Sequence, residues 1–191
     1  MAKRVYFAFH YQDVIDFRAN VVRKHNALQG VEQAGYYDHS IWEEAKKKGD
    51  IALKRMINSE LEGTSVTCAL IGSLTYERPW VRYEILKSIE RGNALLGVHI
   101  NSIKDRTEKT KAAGPNPFDY LAVSISQDGT QATPMVWSGS QWVTYSHVGA
   151  YSIAAQPPEN RGRGLKLSHW YHTYDWIADR GYDNFSSWIG S

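Results

Sequence analysis

A single cysteine, Cys68, stands among the 191 residues, so no internal disulfide can form and the chain suits a reducing compartment. It lies inside the apolar run Val66–Ile71, where a small core side chain is the expectation rather than a nucleophile. Long apolar runs are missing too. No stretch approaches the roughly 20 residues of a membrane span. The N-terminus passes from Met-Ala-Lys-Arg into a strand pattern with no apolar signal segment, so no membrane partner and a cytoplasmic location are expected. Charge of one sign is scarce: the net charge is +2, and the basic residues are scattered apart from Lys46-Lys47-Lys48 and Arg161 with Arg163. Either cluster could touch phosphate, but this balance argues against a nucleic-acid partner. Neither Gly-x-Gly-x-x-Gly nor a phosphate-loop motif occurs, which excludes the commonest dinucleotide and nucleotide-triphosphate sites. His169 and His172 have no third ligand at a helpful spacing, and a strand would face them oppositely, so no metal is expected.

Aromatics, by contrast, are plentiful, with seven Trp and twelve Tyr, many of them after residue 118. The first hundred residues alternate apolar strand runs with helical stripes. Residues 5–9 do not alternate in polarity and read as a strand buried on both faces. Asp13 is placed to cap a helix to about Leu28, with Val14, Phe17, Val21 and Leu28 inward. A weak strand is expected within residues 30–38, and Tyr36, Tyr37 and Trp42 as core or loop anchors. Asp50 is placed to cap a helix over 51–61, with Leu53, Met56, Ile57 and Leu61 on one face. Val66–Ile71 is the clearest buried strand. Pro79 suits the first turn of a helix running to about Arg91, with Val81, Ile85, Leu86 and Ile89 inward, and residues 94–100 form another buried strand. This order predicts a flavodoxin-like, doubly wound α/β fold: five parallel strands in the order 2-1-3-4-5.

The rhythm changes after residue 101. Residues 121–126, 131–137 and 141–145 read as short strands joined by turns at Asp128-Gly129 and Ser138-Gly139-Ser140. Residues 169–176 read as a strand and 182–189 as a closing helix. The economical account is one domain over 1–191, with a β-rich antiparallel insertion at 101–167 and the last core strand and helix at 168–191. Covering the sheet is the default role for the insertion.

In such sheets ligands bind beyond the carboxyl ends of the strands where the order reverses, here between strands one and three. That crevice receives residues 9–13 after strand one and Gly72, Ser73 and Leu74 after strand three. Glu84, one turn inside the following helix, reaches the same place. Periodicity leaves it either at the solvated edge of the helix or aimed at a ligand. His10 either donates to a phosphate or caps its strand end, Asp13 is a helix cap before it is a ligand group, and Trp80 reads as core as readily as a stacking platform.

The stretch Val5-Tyr6-Phe7-Ala8-Phe9-His10-Tyr11-Gln12-Asp13 resembles the first strand and loop of TIR domains. The stretch from Ser73 to Ile85, with Trp80-Val81-Arg82-Tyr83-Glu84, resembles their third-strand exit and Trp-x-x-x-Glu motif. Residues 38–50 fall where that family carries its mobile BB loop. Gly114-Pro115-Asn116-Pro117-Phe118-Asp119-Tyr120-Leu121 and the ending from Tyr174 to Trp188 are similar to the bacterial branch that includes the TIR subunit of Thoeris antiphage defence. One departure is Ala8, where many TIR domains carry Ser. The resemblance implies an enzyme that consumes NAD+ as a substrate, with no separate cofactor. It would release a cyclic ADP-ribose isomer as a messenger to a distinct NAD-depleting effector. It implies a phage-derived trigger, assembly with other TIR subunits and little turnover by the free protein. Glu84 would be the catalytic carboxylate, with Phe9, His10, Tyr11, Ser73, Trp80 and Tyr83 shaping the substrate pocket. A non-enzymatic TIR scaffold, with Glu84 structural, is the alternative. A metal-dependent receiver domain is disfavoured, because Phe9-His10 and Gly72-Ser73 stand where its acidic residues would be.

Overall fold

A computed structural model describes residues 4–15, 17–28, 32–35 and 39–190. Apolar runs too short for helices became the central strands. Strand β1 (Arg4–Ala8) pairs in parallel with β2 (Glu32–Ala34) on one side and β3 (Val66–Ile71) on the other. Strand β4 (Ala94–His99) follows β3, and β10 (Thr173–Asp175) closes the edge, giving the order β2-β1-β3-β4-β10. This is the expected five-stranded parallel 2-1-3-4-5 sheet. Alternation along β1 splits the core: Val5 and Phe7 join Cys68, Trp176 and Phe185 on one face, while Tyr6 and Ala8 join Ile57, Ile85 and Leu86 on the other. Cys68 is fully buried and its thiol is pushed up in pKa by burial, as suits a core side chain.

The helices differ from expectation at two ends. The single helix predicted from Asp13 to Leu28 is broken into α1 (Tyr11–Ile15) and α2 (Arg18–Leu28), and Asp13 lies inside α1, buried, instead of at a cap. Phe17 adopts a left-handed φ of 64° between them, with the Arg106 guanidinium 3.4 Å from its ring centre. Arg18, also buried, donates to the carbonyls of Ile103 (2.9 Å) and Lys109 (2.7 Å). Those contacts come from residues nearly ninety positions away, so no local pattern announces the break. In α4 (Asp50–Leu61) the cap position belongs to Gly49, and Asp50 sits in the first turn, where its charge favours the helix dipole. Leu53, Ile57 and Leu61 are buried and Met56 is half-buried. Within residues 38–50 the chain forms α3 (His39–Lys47) instead of a plain loop. Tyr36, Tyr37 and Asp38, and the side chains of Val14 and Leu28, lie outside the described residues.

Helix α5 (Pro79–Glu90) follows β3 with Pro79 at its first turn, as predicted. Beyond β4, a second sheet forms from β5 (Leu121–Ile125), β6 (Gln131–Trp137), β7 (Trp142–Thr144) and β9 (Gly164–Lys166), in the antiparallel order β7-β6-β5-β9. Strand β8 (Tyr151–Ser152) pairs with β6. Strands β8 and β9, two and three residues long, are too short to leave a periodic signal. Residues 169–176 yield a strand only over β10, because Leu167–His169 turn as a 3-10 helix first. Helix α6 (Gly181–Trp188) ends the fold. Leu121, Val123, Ile125, Tyr145 and Val148 of the second sheet and its connections share one core with Tyr83, Ile85 and Leu86 of α5. The insertion therefore packs on α5 and not as an appendage. No described helix is long and apolar enough to cross a membrane.

Candidate active site

A cavity of about 330 Å³ opens at the carboxyl end of β1. Phe9, His10 and Tyr11 line it from the β1 exit, Gly35 from the β2 exit, Trp42, Glu43 and Lys46 from α3, and Arg78, Pro79, Trp80, Val81 and Glu84 from the start of α5. The α3 residues are spaced i, i+1 and i+4, and Trp80 and Glu84 i and i+4, so each helix presents one face. Arg78 precedes a proline and is extended (φ −74°, ψ 116°), which sets its side chain at the mouth of the helix. Its Nε is buried and makes no hydrogen bond among the described residues.

Glu84 is 4% exposed. The Tyr6 hydroxyl donates to its Oε1 at 2.7 Å. Burial drives the Glu84 pKa from 4.5 up to about 8, and the Tyr6 hydrogen bond opposes that rise. Beneath it, the Ser88 hydroxyl donates to the Glu84 carbonyl (2.6 Å) and receives the Thr67 hydroxyl proton (2.8 Å), while Asn93 Nδ2 donates to Thr67 Oγ1 (3.2 Å). This buried polar chain ties the backbone of α5 to β3 and fixes the turn that carries Glu84. His10 has its pKa held below the usual value by burial first, then by the positive charges of Arg78 and Lys111. A neutral imidazole therefore faces the cavity at neutral pH.

Glycine is required where the chain crosses Tyr6. Gly35 has φ +83°, and a Cβ there would lie 2.5 Å from the Phe7 carbonyl oxygen. At the β3 exit a Cβ on Gly72 would meet the Asp13 carboxylate at 2.3 Å, so the buried Asp13 packs where a side chain would otherwise stand.

The structure gathers Phe9, His10, Tyr11, Trp80 and Glu84 around one cavity, but not Ser73 or Tyr83. Gly114 lies over Ser73, whose Cα would be 2.8 Å from a Cβ at 114. Tyr83 turns to α4 and donates to Asn58 Oδ1 at 3.1 Å, touching the cavity only through the edge-on packing of its ring against Trp80 at 6.0 Å. Helical spacing explains this: Tyr83 is one residue short of the Trp80–Glu84 face. Sequence reading missed Gly35, Glu43 and Arg78 as cavity residues, and took Trp42 as an anchor and Lys46 as part of a solvated basic run. Their i, i+1, i+4 spacing was visible, but not that α3 would fold over the crevice.

A doubly wound parallel sheet with a buried glutamate at the switch point, one turn beyond a tryptophan, defines a TIR-like domain. Residues 6–105 match the family model described as "Thoeris protein ThsB, TIR-like domain". Over 191 residues, covering 99% of this chain and all of the relative, the chain is 54% identical to a Bacillus cereus (strain MSX-D12) protein named "Putative cyclic ADP-D-ribose synthase ThsB1". The chain belongs to the ThsB TIR-like family.

Proposed function

We propose that this protein cleaves the nicotinamide–ribose bond of NAD+ and closes the remaining ADP-ribose into a cyclic isomer; its Bacillus relative is named as a cyclic ADP-ribose synthase. The observation that carries the reading is Glu84 itself: a buried carboxyl on the wall of a cavity whose other walls are aromatic and cationic. Nicotinamide is already cationic at its ring nitrogen and leaves neutral, taking the bonding electron pair. No general acid is needed, and one carboxylate is sufficient to stabilise the oxocarbenium-like centre. The cationic substrate favours ionised Glu84 once bound. A ribose hydroxyl on the adenosine side then attacks the anomeric carbon and releases its proton, for which Glu84 is the acceptor. Trp80, Phe9 and Tyr11 offer faces and edges to the nicotinamide or adenine ring. The unpaired Arg78 Nε and the Lys46 ammonium suit the diphosphate. Water must be held off for cyclisation to outrun hydrolysis.

In this reading Glu84→Gln, in cells challenged with phage, loses NAD consumption by about 100-fold or more. The cyclic product disappears by mass spectrometry. A folded variant with full NAD consumption would return Glu84 to a structural role and favour the scaffold alternative. The same reading includes a phage-derived trigger, assembly with further TIR subunits and an effector reached through the messenger. Dilute free protein accordingly shows little turnover, and robust NAD cleavage by untriggered monomer would contradict that.

A further inference from the structure

Tyr6 occupies the middle of β1, fully buried, and reaches Glu84 Oε1 with its hydroxyl at 2.7 Å. Strand alternation puts Tyr6 and Ala8 on the same side of the sheet, toward α5, and of the two only Tyr6 carries a hydroxyl. The ring packs closely against Gly35, where a Cβ would lie 3.0 Å from both Cε2 and Cζ of Tyr6. The ring cannot swing away without moving the β2 exit. Among the described residues, the other charged or titratable groups that line the cavity with Glu84 are His10 and Tyr11 after β1, Glu43 and Lys46 on α3 and Arg78 before α5, while Tyr83, on the same helix, packs under Lys54 of α4, and Tyr145 of the insertion reaches the Pro79 carbonyl. Among the described residues, only Tyr6 bonds the Glu84 carboxyl.

We propose that Tyr6 is the positioning residue for Glu84: its hydroxyl holds one carboxyl oxygen and leaves the other for the bound ribose, strengthening as the carboxyl ionises. This role rests on Glu84 being the catalytic carboxylate. A donor to a carboxylate favours the ionised form, so Tyr6 works against the burial that keeps Glu84 neutral. Its geometry also restricts the carboxyl to one rotamer, which matters because reacting groups must be held near their productive positions.

Infrared titration of the free, full-length protein tests the pair without any need for turnover. The protonated-carboxyl stretch present in the wild type and missing from Glu84→Gln belongs to Glu84. Tyr6→Phe keeps the ring and removes only the hydroxyl, and the midpoint of that band is expected to move up by about one pH unit. Placing 3-fluorotyrosine, a more acidic and stronger donor, at position 6 is expected to move it down. A residue acting only as core filler would not give opposite shifts. In the triggered enzyme, Tyr6→Phe is expected to lose about tenfold in kcat at neutral pH, with KM little changed and activity recovering as the pH rises. Unmoved midpoints in both variants, with circular dichroism unchanged, would overturn the role of Tyr6 alone. Should Tyr6→Phe fail to fold, the fluorotyrosine variant decides. Full NAD turnover by Glu84→Gln would overturn the functional reading, and the role of Tyr6 with it.

Discussion

Glu84 binds its proton more tightly in the folded protein, at about pH 8, than an exposed glutamate does at 4.5. Between those values the unfolded chain has released a proton that the native state still holds. Stability must then fall as pH rises through that window, by up to about 1.4 kcal/mol per pH unit, and is fully retained below it. Glutamine has no charge to desolvate and still accepts the Tyr6 hydroxyl. Glu84→Gln is therefore expected to gain stability relative to the wild type as the pH is raised from about 5 to 8. Urea denaturation at several pH values measures the difference, and a gap that stays constant with pH would show that Glu84 is not the buried acid described. An activity loss coupled to a stability gain is what a buried functional carboxylate gives. At this scale the sequence was informative only in part. The Trp80–Glu84 spacing was legible as a helix face, and the similarity to TIR motifs singled out Glu84. The partner hydroxyl came from Tyr6, seventy-eight positions away, which read only as one apolar member of a buried strand.

Elements meet the site through their ends. The β2 exit passes over the Tyr6 ring at Gly35, where both the left-handed φ and the 2.5 Å approach to the Phe7 carbonyl leave no room for a side chain. Gly35→Ala is expected to destabilise the fold by about 2–4 kcal/mol, since strain and collision act together. Because Gly35 also lines the cavity, the variant is expected to lose binding of a nicotinamide-containing ligand at temperatures where it remains folded, which calorimetry would read. Wild-type stability in this variant would mean that the crossing is looser than described. Helix α3 shows what element-level pattern misses. Its helical character was overlooked because residues 38–50 resemble a loop in the family, yet Trp42, Glu43 and Lys46 reach the cavity from it.

At the scale of the whole molecule, the insertion shares the core on the α5 face of the parallel sheet and is not an ornament on it. Phe118 is fully buried just before β5, and it shares with Leu121, Tyr83 and Leu86 a single cluster spanning both sheets. Phe118→Ala is expected to lower stability by about 3–5 kcal/mol. The two sheets should still unfold together, with far-ultraviolet circular dichroism and tryptophan fluorescence giving coincident transitions. Two separated transitions would show the insertion to be an independent unit. The shared core also sets how the insertion bears on the site. Tyr145, between β7 and β8, is buried and brings its hydroxyl within 3.4 Å of the Pro79 carbonyl, at the first turn of the helix that carries Glu84.

The sequence by itself determined the layered architecture. Continuous apolar runs at residues 5–9, 66–71 and 94–100 only make sense as strands buried on both faces, and the stripes between them only as covering helices. Right-handed crossovers then left few strand orders, and the similarity to TIR domains singled out 2-1-3-4-5 among them. The hairpins of the insertion were equally legible from their turns, since turn chemistry is local. Tertiary structure alone decided the rest. The break at Phe17 depends on Arg18 finding carbonyls at 103 and 109, and the distribution of Ser73 and Tyr83 away from the cavity depends on Gly114 and Asn58. The proton affinity of Glu84 depends on how completely neighbouring elements exclude water. Desolvation is a property of the whole surrounding volume, and no spacing within one segment records it.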